Sequence, residues 1–127
     1  KTMNYVFPFE KLEVWSLSRK LAVKIYIETG DFPSAEKFGL TDQIKRAVVS
    51  VSSNIAEGNS RKNKNDRVRL FNIAFASLME LMSQIIIAVD LGFIREERYH
   101  ENRLLIAEIS NKLNALINNQ LQSYHKQ

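Results

Sequence analysis

The sequence predicts an all-α protein, an antiparallel up-down four-helix bundle. Three observations carry that prediction. Apolar residues recur at spacings of three and four along four long segments. The two prolines and four glycines in 127 residues fall between those segments or at their ends. No stretch shows the period-two alternation of a strand. Amphipathic helices joined by short connectors pack as antiparallel neighbours. A chain of this length is expected to form one domain, residues 1–127, with a hydrophobic core of its own.

The first helix, about residues 10–29, carries a stripe from Leu12 through Val14, Leu17, Leu21 and Ile25, with Trp15, Ala22 and Tyr26 beside it. Gly30 is expected to cap its C-terminus. Residues 31–40 contain Pro33 and Gly39 and read as a structured connector with a short helical turn from Ser34. The second helix, about 42–57, has Thr41 as its expected N-cap. Its stripe is Ile44, Ala47 or Val48, Val51 and Ile55, and Gly58 is expected to close it. Asn63 or Asn65 is expected to open the third helix, about 65–91, with Gly92 at its end. Its Phe71, Ala74, Leu78, Leu81, Ile85 and Ala88 form a heptad seam. The fourth helix, about 95–122, repeats the pattern in Ile106, Ile109, Leu113, Leu116 and Ile117. Residues 1–8 and 123–127 have little to bury and are expected to be loose.

Two helices have something left over. In the third, Ile85, Ile86, Ile87, Ala88 and Val89 are consecutive and cover the whole circumference at about 100° per residue. Phe75, Met79, Met82, Ile86 and Val89 make a second stripe beside the seam. It is either a wide core face with a few exposed side chains or surface buried against another copy of the chain. On the second reading Phe75, Met79, Met82 and Ile86 are oligomer contacts. The second helix is lined by small residues (Ala47, Ser50, Ser52, Ser53, Ala56). Its Ser50 and Asn54 share a face, where they bond each other, cap a neighbouring loop or meet a partner.

The charge is concentrated. Residues 59–69 hold Arg61, Lys62, Lys64, Arg67 and Arg69 against the single anion Asp66. The chain has 18 Lys+Arg and 14 Asp+Glu, so everything outside this segment is neutral, with 13 of each sign. Arg61 and Lys62 follow the second helix, where the negative end of its dipole favours cations. Lys64, Arg67 and Arg69 open the third, where a cation is disfavoured by roughly 0.3–1 kcal/mol. The segment is either a solvated loop or a site for an external anion, with nucleic acid the expected partner. Phosphate would also meet the unpaired amides of the first helical turn. Lys45 and Arg46 would widen the patch if they face the same way. No aromatic residue interleaves the cations, so contact with the nucleic-acid backbone is expected rather than base stacking.

Little points to catalysis. The chain has no cysteine, which removes thiolate nucleophiles, disulfides and sulfur-based zinc sites. His100 and His125 are too far apart in sequence to pair on a metal, and Asp66, Glu80 and Asp90 are too spread to hold magnesium. There is no Gly-rich phosphate loop, Ser-x-x-Lys or His-x-Glu pattern. Glu57 beside Arg61 and Lys62 suits an ion pair. Glu96, Glu97 and Glu101 with Arg95, Arg98 and Arg103 read as a solvated face. The expectation is therefore a non-enzyme with no cofactor and no metal. Residues 1–9 lack the apolar core of a signal peptide, and the most apolar window, Leu81 to Leu91, is too short for a bilayer. A cytoplasmic protein away from membranes is expected.

The run from Phe38 to Gly58, with Gln43, Arg46, Ser50, Asn54, Glu57 and Gly58 as its motif residues, resembles a bacterial family. These are the four-helix-bundle proteins known as 23S rRNA intervening-sequence proteins, related to the accessory variability proteins of diversity-generating retroelements. The resemblance continues in Phe9 to Trp15, Phe32 to Glu36, Ala74 to Glu80, and Leu91 with Gly92. It implies an up-down bundle assembled as a homopentameric barrel. In the retroelement branch it implies a basic surface that contacts nucleic acid and a reverse transcriptase. The motif residues then have structural roles. The leading expectation is a non-catalytic oligomeric scaffold that binds nucleic acid, with a purely protein-binding bundle docking an acidic partner, such as a reverse transcriptase, as the alternative.

Overall fold

The computed structural model describes residues 4–125, with side chains described from 4 to 122. Four helices follow in order, α1 (Glu13–Thr29), α2 (Leu40–Ser60), α3 (Lys64–Asp90) and α4 (Glu96–His125). Turns of 3-10 helix at Pro8–Lys11 and Ser34–Glu36 lead into α1 and α2, and there is no strand among the described residues. Each helix packs on its neighbours in sequence, and α1 meets α4 to close the arrangement. Of the ends expected to be loose, residues 1–3 and 126–127 lie outside the described residues, while the helical backbone of α4 runs through His125.

The chain enters α1 through a turn started by Pro8, whose missing donor costs nothing in a first turn. Glu10 Oε2 accepts from the Phe7 N–H at 2.8 Å and holds the turn. The buried face of α1 is Val14, Ser18, Leu21, Ile25 and Glu28. Val14, Leu21 and Ile25 are buried as the expected stripe has them, while Leu12 and Leu17 are only half-buried and Ser18 and Glu28 take seam positions.

α2 begins at Leu40, earlier than expected, because its cap comes from the preceding turn. Glu36 Oε1 accepts from the Leu40 N–H at 3.2 Å, a carboxylate at the positive end of the helix. Thr41, the expected N-cap, lies inside the helix and is buried, and its hydroxyl makes no hydrogen bond. Nor does Gly58 close α2. The helix continues to Ser60, and Gly58 is buried where α3 comes closest. A Cβ there would stand 2.7 Å from Phe71 Cε1 and 3.2 Å from Leu70 Cβ. The glycine is a packing residue, not a stop.

Asn63 caps α3, its Oδ1 accepting from the Asp66 N–H at 3.2 Å. Phe71, Ala74, Leu78, Leu81, Ile85 and Ala88 are all fully buried, so the heptad seam is the heart of the core. α3 ends in a Schellman motif. Gly92, at φ 78°, donates to Val89 O at 3.0 Å, and the Phe93 N–H donates to Ala88 O at 2.9 Å. Phe93 then packs on Phe32 with ring centroids 5.6 Å apart. By length and composition alone α3 is apolar enough to cross a membrane, with a window of mean hydropathy 1.7. This corrects the expectation drawn from residues 81–91, because the apolar run extends back through the whole seam. Here that seam is packed against α2 and α4.

On α4, Ile106, Ile109, Leu113 and Ile117 are buried and Leu116 half-buried. A polar clasp joins α4 to α1. Lys24 Nζ donates to Glu28 Oε2 at 2.6 Å and to Glu101 Oε1 at 2.8 Å, and Asn102 Nδ2 donates to Glu28 Oε1 at 2.7 Å. Arg98 reaches Asp31 at 3.4 Å, and Lys112 reaches Glu13 at 3.1 Å. Arg95, Glu96, Glu97, Glu101 and Arg103 are exposed, as expected of a solvated face, and within it Glu101 and Arg98 also reach across to Lys24 and Asp31. Burial lowers the Lys24 pKa, but hydrogen bonds from the ammonium to Glu101 and Glu28 outweigh it and hold the group above 10.5. The same hydrogen bond holds Glu101 below 4.5.

Candidate nucleic-acid interface

Three residues, 61–63, join α2 to α3, so the basic segment is pinned between two helices packed along their length. Arg61 is the C-cap of α2. Its Nη2 donates to Glu57 Oε2 at 2.7 Å, with both side chains about half exposed. That is the ion pair the sequence predicts for Glu57. Lys62 and Arg69 are exposed, whereas Lys64 and Arg67 are half-buried. Arg67 Nε is buried without a hydrogen-bond partner among the described residues. Lys64 and Arg67, three apart, share one face of α3, and Arg69 lies about 140° round the helix from Lys64. The five cations thus wrap the start of α3 instead of forming one flat face. Val68 packs on the core, and Leu70 and Phe71 are buried, which anchors the charged turn.

Lys45 and Arg46 do not join this patch. They sit in the second turn of α2, about 22 Å of helix away from Arg61 at 1.5 Å per residue. Each is already engaged. Arg46 Nε donates to Asp42 Oδ2 at 2.9 Å, which raises its pKa, and Lys45 Nζ lies 4.9 Å from the centre of the Tyr26 ring.

The remaining motif residues divide by environment. Asn54 Nδ2 donates to Ser50 O at 2.8 Å and to Ser50 Oγ at 3.1 Å, and Ser50 Oγ bonds Ser77 Oγ across to α3 at 2.8 Å. Ser50 and Gly58 therefore join α2 to α3, and Asn54 holds Ser50 within α2. Gln43, Arg46 and Glu57 are exposed. Of the second stripe on α3, Phe75, Met82 and Val89 are half-buried, while Met79 is 39% and Ile86 37% exposed.

Two groupings escaped the sequence reading. The first is the buried pair Glu28 and Asn102. Each continues an apolar seam at its own register (Val14, Leu21, Ile25 before Glu28; Ile106 and Ile109 after Asn102), and that register was the available signal. The second is aromatic. Phe7 and Phe9 line a cavity with Ser53, Glu57 and Ser60 at the end of α2, one residue from the basic connector. No periodicity relates residues so far apart in sequence.

A comparison with curated proteins gave no match. Among solved structures, the chain is similar to a crystal structure from Bacteroides thetaiotaomicron VPI-5482, described as a protein of unknown function from the S23 ribosomal protein family. The TM-score is 0.76 at 24% identity, over 83% of this chain and 95% of that one, a likeness of fold. The sequence model of the 23S rRNA-intervening sequence protein family matches residues 10–115, and the chain belongs to that family.

Proposed function

We propose that this protein is a non-catalytic, oligomeric scaffold that holds the backbone of nucleic acid at the α2–α3 connector. The observation that carries the reading is the placement of Lys64, Arg67 and Arg69 in the first turns of α3, where the helix dipole opposes cations. A bound phosphate removes that local cost at the positive end of the helix. The connector is short and its neighbours are packed, so the backbone that carries the cations has little freedom to lose on binding.

The proposed architecture is an antiparallel up-down bundle that associates with copies of itself, as a pentameric barrel on the resemblance to its family. Gly58 against Phe71 and Ser50 against Ser77 support opposed directions for α2 and α3. Partly exposed Met79 and Ile86 supply an apolar surface for association. A bacterial, cytoplasmic setting and a kinship with the accessory variability proteins of diversity-generating retroelements belong to the same proposal.

The test is to convert Arg61, Lys62, Lys64, Arg67 and Arg69 together to Gln and follow fluorescence polarisation of labelled RNA and DNA. Binding is expected to be lost while helicity and molecular mass stay unchanged. Equal binding by both proteins would reduce the connector to a solvated loop.

A further inference from the structure

The segment ahead of α1 is a ladder of rings running from the core into solvent. Trp15 packs on the core, and the Phe9 ring meets it edge-on at 4.8 Å. Phe7 stacks on Phe9 at 6.1 Å, and Tyr5 meets Phe7 edge-on at 5.0 Å. The outer rungs are open, Tyr5 at 72% and Phe7 at 54% exposed. Phe7 and Phe9 form one wall of a cavity of about 650 Å³ whose other wall is the last two turns of α2, including Ser53, Glu57 and Ser60. Glu57 is also the residue that holds Arg61. An apolar, ring-faced wall, a polar wall and a cationic connector therefore meet at one end of α2.

We propose that this cavity receives a base of single-stranded nucleic acid whose phosphates lie on the connector, with Phe7 as the stacking surface. The inference rests on the connector reading above and adds the ligand class to it. Exposed rings stack on any base through its π-face, independent of sequence, and cations beside them hold the backbone. The Ser53 hydroxyl lines the same wall, the Ser60 hydroxyl, which donates to Glu57 O, keeps its acceptor capacity, and the Glu57 carboxylate keeps an oxygen beyond the one Arg61 holds, so a base edge finds polar partners there. A duplex keeps its bases stacked inside and cannot use the wall, so the site discriminates strandedness.

The experiment compares wild type, Phe7→Ala, Phe7→Leu and Tyr5→Ala on single-stranded RNA, single-stranded DNA and a DNA duplex. It adds 2-aminopurine quenching as a direct report of stacking and light scattering as a check on assembly. Phe7→Ala and Phe7→Leu are expected to weaken both single strands by about 5- to 150-fold, the worth of one lost stack. Duplex affinity and mass should not change, and quenching by wild type should disappear in both variants. Phe7→Leu keeps the apolar contact and removes the ring, so it separates stacking from packing. Wild-type affinity for single strands in both Phe7 variants overturns the platform, as does an equal loss on duplex or a change of mass. If the connector variant still loses binding in that case, the platform has failed and the connector stands. If wild type binds none of the three probes, both readings fall.

Discussion

At Gly58 the distance between two helices is set by the absence of one carbon. Phe71 is fully buried, so its ring has no open side to retreat toward if a Cβ arrives at 2.7 Å. Alanine is the better helix former by about 1 kcal/mol, but overpacking a filled core costs about 1–3 kcal/mol. Gly58→Ala is therefore expected to lower stability by up to about 2 kcal/mol, read as a reduced urea midpoint at constant slope. A midpoint that rises would mean that α3 yields easily. Asn102 poses the complementary case of a buried polar group. It has no exposed surface and donates to Glu28, itself 5% exposed. Asn102→Leu leaves the Glu28 carboxylate short of one donor, an expected loss of about 1–3 kcal/mol. Asn102→Asp, which sets two carboxylates together, should be worse. The sequence contains the hint to both residues, a polar side chain at seam register. It does not say that the two meet, because that depends on the axial offset of α1 and α4.

At the scale of the helix, interiors were legible and ends in part: Gly30, Asn63 and Gly92 stand at the ends expected of them, whereas Thr41 and Gly58 do not. The α3 seam follows from spacing because burial on one face repeats with the helical period. Ends depend on single hydrogen bonds from outside the element. Glu36 displaces Thr41 as the cap of α2 because a longer carboxylate reaches back from the preceding turn. At Gly92 the signal was local, since a residue at φ 78° favours glycine, and there the end was readable. The clasp between α1 and α4 gives this scale its prediction. Glu101 has its pKa lowered by Lys24, so its contribution is present above the unfolded value and is lost as pH falls through the folded one, below about 4.5. The raised Lys24 keeps its charge up to and beyond 10.5, so the clasp is intact across neutral pH. Glu101→Gln should thus be less stable than wild type at pH 7, and the gap should close in acid once the pH is below the lowered folded value. Paired urea titrations at the two pH values measure it, and a gap that persists in acid would assign the loss to packing.

For the whole molecule, the question is what covers the outer face of α3. Ile73, Met79, Ile86 and Ile87 are each more than a third exposed and follow one another along the helix. Light scattering is expected to return a mass several times 14.7 kDa, five times it for the pentamer. Met79→Glu with Ile86→Glu should return the monomer with helicity retained. A stable wild-type monomer at micromolar concentration would end the oligomer proposal. The candidate interface was half legible at this scale. A run of cations in sequence is visible without coordinates, and so is its conflict with the helix dipole. The separation of Lys45 and Arg46 along α2 and the pairing of Arg46 with Asp42 four residues away follow from helical spacing, whereas the contact of Lys45 with Tyr26 and the approach of Phe7 to Glu57 arise only when segments distant in sequence pack. The most direct test of the central claim is the salt dependence of single-strand binding by wild type. Each neutralised phosphate contributes about −0.7 to the slope of log affinity against log salt. Four or five contacts at the connector predict a slope of about −3, falling toward zero in the variant with all five cations replaced by Gln. A wild-type slope near zero would contradict the account.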